Sequence, residues 1–402
     1  MPTPALVRPR PAHRASDLLA AYLPGSFYYS SARGSLLADG VHSSVRARPG
    51  SRAHTAAEAL EAAALAGVAD PVVVGALGFR PDAESSLVVP AVVRRAGAPD
   101  RAGAPPPGPP APGEAAWSMT PRPEPQRYAD GVRRALDLIE AGEVSKVVLA
   151  RCLELTAGEP VAVPALLARL VRADPAAHAF AVDVTAPGDP ATRTLLGASP
   201  ELLLARHGAT VVANPLAGSL PRCADEAENR RRVATLLASE KDRREHAYVA
   251  AQVGEVLGRF CTEVSVPAEP EVIGTPTMWH LSSRITGTLA DPADPASSSL
   301  ALAEALHPTP AVCGVPAARA RDAIADLEPQ DRGYYSGLVG WTGPDGDGEW
   351  VVTIRSAEVC ERTVRLFAGA GIVAGSDPAA ELAETSAKFR TLLRALGWED
   401  AA

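Results

Sequence analysis

The chain has almost no lysine. Of its 39 basic residues only Lys146, Lys241 and Lys388 are not arginine. Asparagine, isoleucine, phenylalanine and tyrosine are scarce as well, while alanine, glycine, proline and arginine abound, a bias that GC-rich codons produce. Under such a bias a retained lysine marks a candidate position where arginine would not serve. Arginine stays protonated in a protein, whereas lysine can act as a base when burial or a nearby positive charge favours its neutral form. Net positive charge is lacking too: 39 basic against 47 acidic residues leave −8, which opposes nucleic-acid or anionic-membrane binding as a main activity. Cys152, Cys223, Cys261, Cys313 and Cys360 are odd in number and scattered, without a C-x-x-C pair, which excludes a disulfide framework and a zinc cage. The apolar run Leu18–Leu23 is too short for a signal-peptide core or a membrane span, so a cytoplasmic chain is expected.

What is present is ample core. A content of 47% hydrophobic and 21% charged residues over 402 positions is that of a soluble globular protein with one large or two ordinary domains. Residues 1–95 mix a short helix near Ala15–Tyr22 with strand-like runs at Ser26–Ser31, Pro71–Gly78 and Ser86–Val93; His13, His42 and His54 read as surface residues. Residues 96–113, rich in proline, glycine and alanine, read as an extended exposed connection. Beyond it the apolar periodicity predicts helices at Arg127–Ala141 and Val163–Arg172, with strands at Lys146–Leu155 and Ala179–Val184. Two apolar strands flank the turn Ser199-Pro200-Glu201. One long amphipathic helix is expected from about Asp225 to Gly258 and a shorter one at Ser299–Leu306. Strands follow at Glu349–Ala357 and Val364–Phe367, and Asp377 caps a final helix that begins with Pro378.

Several charged residues stand where two readings compete. Lys146 opens an apolar strand, as an edge or snorkelling residue would. Glu201 is the only charge in an apolar run; it is either a turn residue facing water or an acid whose pKa is raised by apolar walls. Within Ser239–His246, Asp242 and Glu245 are three apart and Lys241 and Glu245 four apart, so they share a helix face that could offer carboxylate oxygens to a hard cation. Taken alone, that octet favours a solvated face laced with ion pairs. Glu381, Glu384 and Lys388 again share one face, as the helix macrodipole and an i, i+4 pair would also require. The small residues around Ala217 and Gly218 either let backbone N–H groups approach a ligand or make a tight turn. His280, beside Trp279, reads as a hydrogen-bonded core residue. Gly369-Ala370-Gly371 lacks the third glycine of a dinucleotide fingerprint and opens no helix, which excludes a Rossmann site.

Taken together, KVVLAR at 146–151, GASPELLL at 197–204, PLAGS at 215–219, SEKDRREH at 239–246, TPTMWHL at 275–281, HPTPAVCG at 307–314, GEWVVTIR at 348–355 and LFAGAGIV at 366–373 resemble the chorismate-utilising enzymes. The resemblance is to the isochorismate synthases of catechol-siderophore pathways in particular, and it continues weakly upstream through 72–90. It implies one α/β (α+β) domain over 1–402, with two mixed β-sheets packed face to face and flanked by helices. Residues 1–95 then form the N-terminal part of the same fold, 96–113 a surface connection and 125–398 the motif-bearing catalytic part. Carried over by position, it implies Lys146 as the general base, Glu201 as the general acid, and Glu245 and Glu384 as Mg²⁺ ligands with Asp242 and Glu381 nearby. Arg355, with backbone around Gly218, Gly369 and Gly371, would bind the enolpyruvyl carboxylate of chorismate; Ala217, His280, Val312 and Lys388 complete the substrate site. The expected partner is the small molecule chorismate, handled by a monomer, with enzymes of the downstream pathway as further candidates and no nucleic acid or membrane.

Within the family, anthranilate synthases carry glutamine where Lys146 stands, so lysine argues for water as the nucleophile, and aminodeoxychorismate synthases carry a nucleophilic lysine where Ala217 stands. Salicylate synthases share the lysine but go on to eliminate pyruvate, and they are the alternative enzyme reading. A non-catalytic chorismate-binding protein is the alternative from another class. Val312, Cys313 and Arg244 depart from the commoner leucine, serine and histidine, and Arg243 and Arg244 keep the solvated reading.

Overall fold

The structure, a computed structural model, describes residues 13–83, 85–100 and 117–398. In chain order its elements begin with α1 (Ala15–Ala20), β1 (Phe27–Ser31), β2 (Gly34–Ser44), α2 (Arg52–Leu65), β3 (Val73–Leu77), β4 (Ser85–Ala96) and β5 (Trp117–Arg122). Next come α3 (Pro125–Glu140), β6 (Lys146–Ala157), α4 (Val163–Ala173), β7 (His178–Asp183), β8 (Arg193–Ser199), β9 (Leu202–His207), β10 (Thr210–Asn214) and β11 (Leu216–Pro221). The next stretch holds α5 (Glu226–Ala238), α6 (Glu240–Leu257), β12 (Cys261–Ser265), β13 (Glu271–Gly274), β14 (Met278–Ser282), β15 (Ile285–Leu289), α7 (Ser299–Leu306) and β16 (Gly314–Val315). Last are α8 (Ala317–Leu327), β17 (Leu338–Thr342), β18 (Gly348–Val352), β19 (Ser356–Cys360), β20 (Thr363–Val373) and α9 (Pro378–Ala395).

Hydrogen-bonded neighbours run β5–β6–β20–β19–β8–β7–β1–β2–β4–β3–β17–β18–β9–β10–β15–β12, a continuous ribbon. The ribbon turns over at β2 and β4. Their register shifts between Val41 and Ser43, next to Gly40 at φ +67°, and such a bulge bends and twists a strand pair. The two halves then face each other across one apolar layer, in which Phe27, Phe180 and Leu195 from the first half meet Val74, Val339 and Val351 from the second. Helices cover the outer faces. Leu167 and Leu170 of α4 and Phe389 and Leu392 of α9 cover one; Leu60 of α2, Val253 of α6 and Leu302 of α7 cover the other. Every ladder between these strands is antiparallel, where mixed sheets were expected from resemblance. Because β1–β4 are laddered to β7 and β17 in the same ribbon, the N-terminal part and the motif-bearing part share one core. No helix among the described residues is long and apolar enough to cross a membrane.

Residues 101–113 of the expected proline-rich connection lie outside the described residues, and its first residue, Ala96, closes β4. His13, His42 and His54 are exposed, as expected. The helix expected over 225–258 is instead two, broken at Ser239, whose backbone is extended at φ −71° and ψ 111°. The physical reason is a cap: Ser239 Oγ accepts from the Asp242 N–H at 3.2 Å, which satisfies an orphan donor of a new helix. The strand expected over Glu349–Ala357 is likewise interrupted, because Arg355 adopts φ +50° between β18 and β19. The cap at Ser239 aims α6, so Ser239→Ala should lower the unfolding free energy by about 1 kcal/mol while Ser239→Asp retains it, as read from chemical denaturation midpoints.

Candidate active site

A cavity opens where β6 and β20 of the large sheet meet the three-stranded sheet β11–β14–β13, closed over by α6 and α9. Strand alternation aims its floor. Lys146 and Val148 are paired across the ladder with Val373 and Gly371, so they share one face, while Val147 and Leu149 point the other way into the apolar cluster under α3 and α8. Glu201, Ala217, Gly218, Glu245, His280, Val312, Arg355, Gly369, Gly371, Glu384 and Lys388 all line this cavity. Lys146 is not itself one of the lining residues; its Nζ adjoins Glu245, which is. Sequence reasoning left out Val148, Leu216, Ser219, Ala311, Tyr335 and Ile354, which line it as well. For Ser219 a signal existed, since it lies inside the quoted PLAGS run. Tyr335, stacked on Phe367 at 5.1 Å between ring centroids, had none.

All three lysines of the chain converge here, each on a carboxylate. Lys146 is fully buried, with Nζ 3.1 Å from Glu245 Oε1 but out of hydrogen-bond alignment. It is therefore neither an edge nor a snorkelling residue. Lys241 Nζ donates to Glu381 Oε1 at 2.7 Å, and Lys388 Nζ lies 2.6 Å from Glu384 Oε1 while donating to the Gly369 carbonyl at 2.8 Å. Ser219 Oγ donates to Glu384 at 2.9 Å. Glycines make the room: a Cβ on Gly371 would stand 2.0 Å from Glu245 Oε1, and one on Gly218, at φ +76°, would stand 2.9 Å from the Asp242 Cβ. Arg243 and Arg244 are exposed, as the solvated reading required.

The charges shape one another. Burial raises the pKa of Asp242, and the neighbouring Glu245 and Glu384 add to it. Burial and the charge of Glu384 raise that of Glu381 despite Lys241. For Glu384 burial is outweighed by Lys388, Lys241 and Ser219, so its carboxyl stays ionised below the usual range. Glu201 has no such partner. It is 2% exposed, and burial pushes it up to about 7 against the backbone N–H of Leu216 and the more distant charges of Lys146, Arg355 and Lys388. His280 is held well below its ordinary value by burial and by Arg355 and Lys388, and so is neutral. Arg355 Nη2 lies 3.3 Å from His280 Nε2, while Arg355 Nε, buried, has no partner among the described residues.

Among the described residues no three His, Cys, Asp or Glu side chains are already gathered as a metal cage. The donor chemistry nonetheless fits a hard divalent cation: α6 and α9 each bring two carboxylates, oxygen donors only, and the charges of Glu245 and Glu384 on Asp242, and of Glu384 on Glu381, are a repulsion that a cation would relieve. The raised pKa of Glu201 has a stability consequence. Its folded pKa lies above its unfolded value, so its contribution is full at low pH and is lost as pH rises from 4.5 through about 7. Relative to wild type, Glu201→Gln should gain about 3 kcal/mol between pH ~4.5 and ~8 in urea unfolding, and a flat difference would mean an ordinary exposed acid.

Residues 102–397 match the family described as chorismate binding enzyme. The chain is 48% identical to isochorismate synthase DhbC of Bacillus subtilis over 398 residues, 96% of each chain. It is 44% identical to isochorismate synthase EntC of Escherichia coli K12 over 275 residues, 68% of each. A crystal structure from Bacillus anthracis, provisionally assigned as a 2,3-dihydroxybenzoate-specific isochorismate synthase, DhbC, superposes with a TM-score of 0.90 at 42% identity, over 95% of this chain and 99% of that one. With the family matched over most of its length and relatives this similar along nearly all of it, the chain belongs to the chorismate-binding enzymes.

Proposed function

We propose that the chain is an isochorismate synthase, converting chorismate to isochorismate by water attack at C2 with loss of the C4 hydroxyl, and that its product feeds siderophore synthesis of the 2,3-dihydroxybenzoate type. The observation that carries this reading is the pairing, at one cavity, of a fully buried lysine with a buried carboxyl group that keeps its proton up to pH about 7. A binder has no use for that combination, whereas a reaction that deprotonates water and protonates a leaving hydroxyl needs both.

In the assigned roles, Lys146 takes a proton from water as its oxygen bonds to C2. The ring double bonds shift, the C4–O bond breaks, and Glu201 gives its proton to the hydroxyl, which leaves as water. One water enters and one departs, so the net change is an isomerisation. Arg355, whose Nε has no partner among the described residues, receives the enolpyruvyl carboxylate together with backbone around Gly218, Gly369 and Gly371, and neutral His280 orients the guanidinium. Glu245 and Glu384, with Asp242 and Glu381 beside them, are the residues that would hold Mg²⁺. Bound there, the ion supplies a Lewis acid for the ring carboxylate.

Incubation of the purified protein with chorismate and Mg²⁺, with products resolved by chromatography, tests the reading. Isochorismate alone is expected, and turnover should stop in excess chelator. Salicylate with pyruvate would make it a salicylate synthase, and bound but unchanged chorismate a non-catalytic binder. Lys146→Ala should lose at least ~100-fold in kcat with chorismate binding largely intact; near-normal turnover would remove Lys146 from the base role.

A further inference from the structure

Glu328 and Arg332 lie directly behind the cavity wall and take no part in the proposed chemistry. Their side chains are 7% and 2% exposed. Arg332 Nε donates to Glu328 Oε2 at 2.9 Å and Nη2 donates to Oε1, a two-point pair. The same guanidinium donates from Nη1 to the Val312 carbonyl at 2.7 Å and from Nη2 to the Val148 carbonyl at 2.8 Å. Glu328 Oε1 in turn accepts from the Ala150 N–H at 2.8 Å. The guanidinium rests on the Phe79 ring, 4.4 Å from its centroid. Val148 and Val312, whose carbonyls it bridges, are both walls of the catalytic cavity, and Val148 is two residues from Lys146 on the same face of β6.

We propose that Glu328 and Arg332 are positioning residues that set the spacing between β6 and the 309–313 loop, and with it the fit of substrate between Val148 and Val312 and its approach to Lys146. A plain core brace would not take this form. Burying an ion pair confers little stability over apolar residues of the same volume, so its retention points to geometry. Only the planar fork of arginine reaches two carbonyls and a carboxylate at once; the single ammonium of lysine does not. The arrangement spans three separate segments: Nη1 holds the 309–313 loop, Nη2 holds β6, and Nε with Nη2 holds Glu328 at the end of α8.

The test compares Arg332→Lys and Glu328→Gln with wild type, at a temperature where each variant keeps the wild-type far-UV circular dichroism spectrum. Because a small displacement spoils attack geometry more than binding, Arg332→Lys should lower kcat about tenfold or more with KM changed less than roughly threefold, and Glu328→Gln should fall between it and wild type. Wild-type kcat in the folded variants overturns the proposal. So does loss of folding in both, which would make the pair a core brace. The inference rests on the proposed reaction: a wild-type protein that leaves chorismate unchanged overturns both, whereas an active wild type with unaltered variants overturns the positioning role alone.

Discussion

The site depends on a set of buried and half-buried lysine–carboxylate pairs, and so does the way four elements meet. Lys146 of β6 faces Glu245 of α6, Lys241 of α6 faces Glu381 of α9, and Lys388 of α9 joins Glu384 to the backbone of β20. Strand to helix to helix to strand, the charges close a circuit around the cavity. Such pairs are poor investments in stability, because desolvating both ions offsets most of their attraction. The chain has nonetheless kept glycine at 218 and 371, where any side chain would collide with a member of the acidic cluster. A fold optimised for stability alone would fill this space with apolar side chains; this one keeps it charged.

Against that circuit Glu201 stands apart. Two carboxyl groups, the half-buried Glu384 and the buried Glu201, line the same cavity, yet one is held ionised by Lys388, Lys241 and Ser219 and the other is pushed up to about 7 by burial, which the more distant cations do not offset. Environment, rather than residue type, divides the labour. The strand alternation that points Lys146 into the site and the turn that buries Glu201 under apolar walls therefore set protonation states as much as positions.

Much of this was legible in the sequence. Lysine scarcity marked three positions, and all three reach the site. Helical spacing put Asp242 with Glu245 and Glu381 with Glu384 on shared faces. Apolar periodicity located the strand at Lys146 and the helix that begins at Pro378. What it could not reach is non-local. Nothing near Lys146 says that its partner lies 99 positions on, nor that Glu328 and Arg332 brace walls contributed by β6 and the 309–313 loop. The break at Ser239 was a missed local signal: Ser-Glu-Lys-Asp is a serine followed by an acid three residues later, a helix-start pattern hidden inside a longer amphipathic run. The interruption at Arg355 is different in kind, since a non-glycine residue at positive φ carries no mark in its own letter.

The division between arginine and lysine follows from the same geometry. Where the fold needs a cation to gather backbone, it uses the guanidinium: Arg206 donates to the carbonyls of Gly208, Pro292, Ser297 and Asp345, Arg52 to those of Pro81 and Ala83, and Arg332 to those of Val148 and Val312. Each of these spreads a permanent charge over several fixed acceptors, which a point charge cannot do. At the cavity the requirement reverses. Lys146 has one carboxylate beside it, no aligned hydrogen bond, and the tight space between Glu245 and Gly371 around it. A five-donor fork placed there would leave most of its donors buried without acceptors, a cost of about 1–3 kcal/mol for each, and could never release a proton. A codon bias that favours arginine over most of the chain therefore meets, at position 146, both a steric and a chemical barrier.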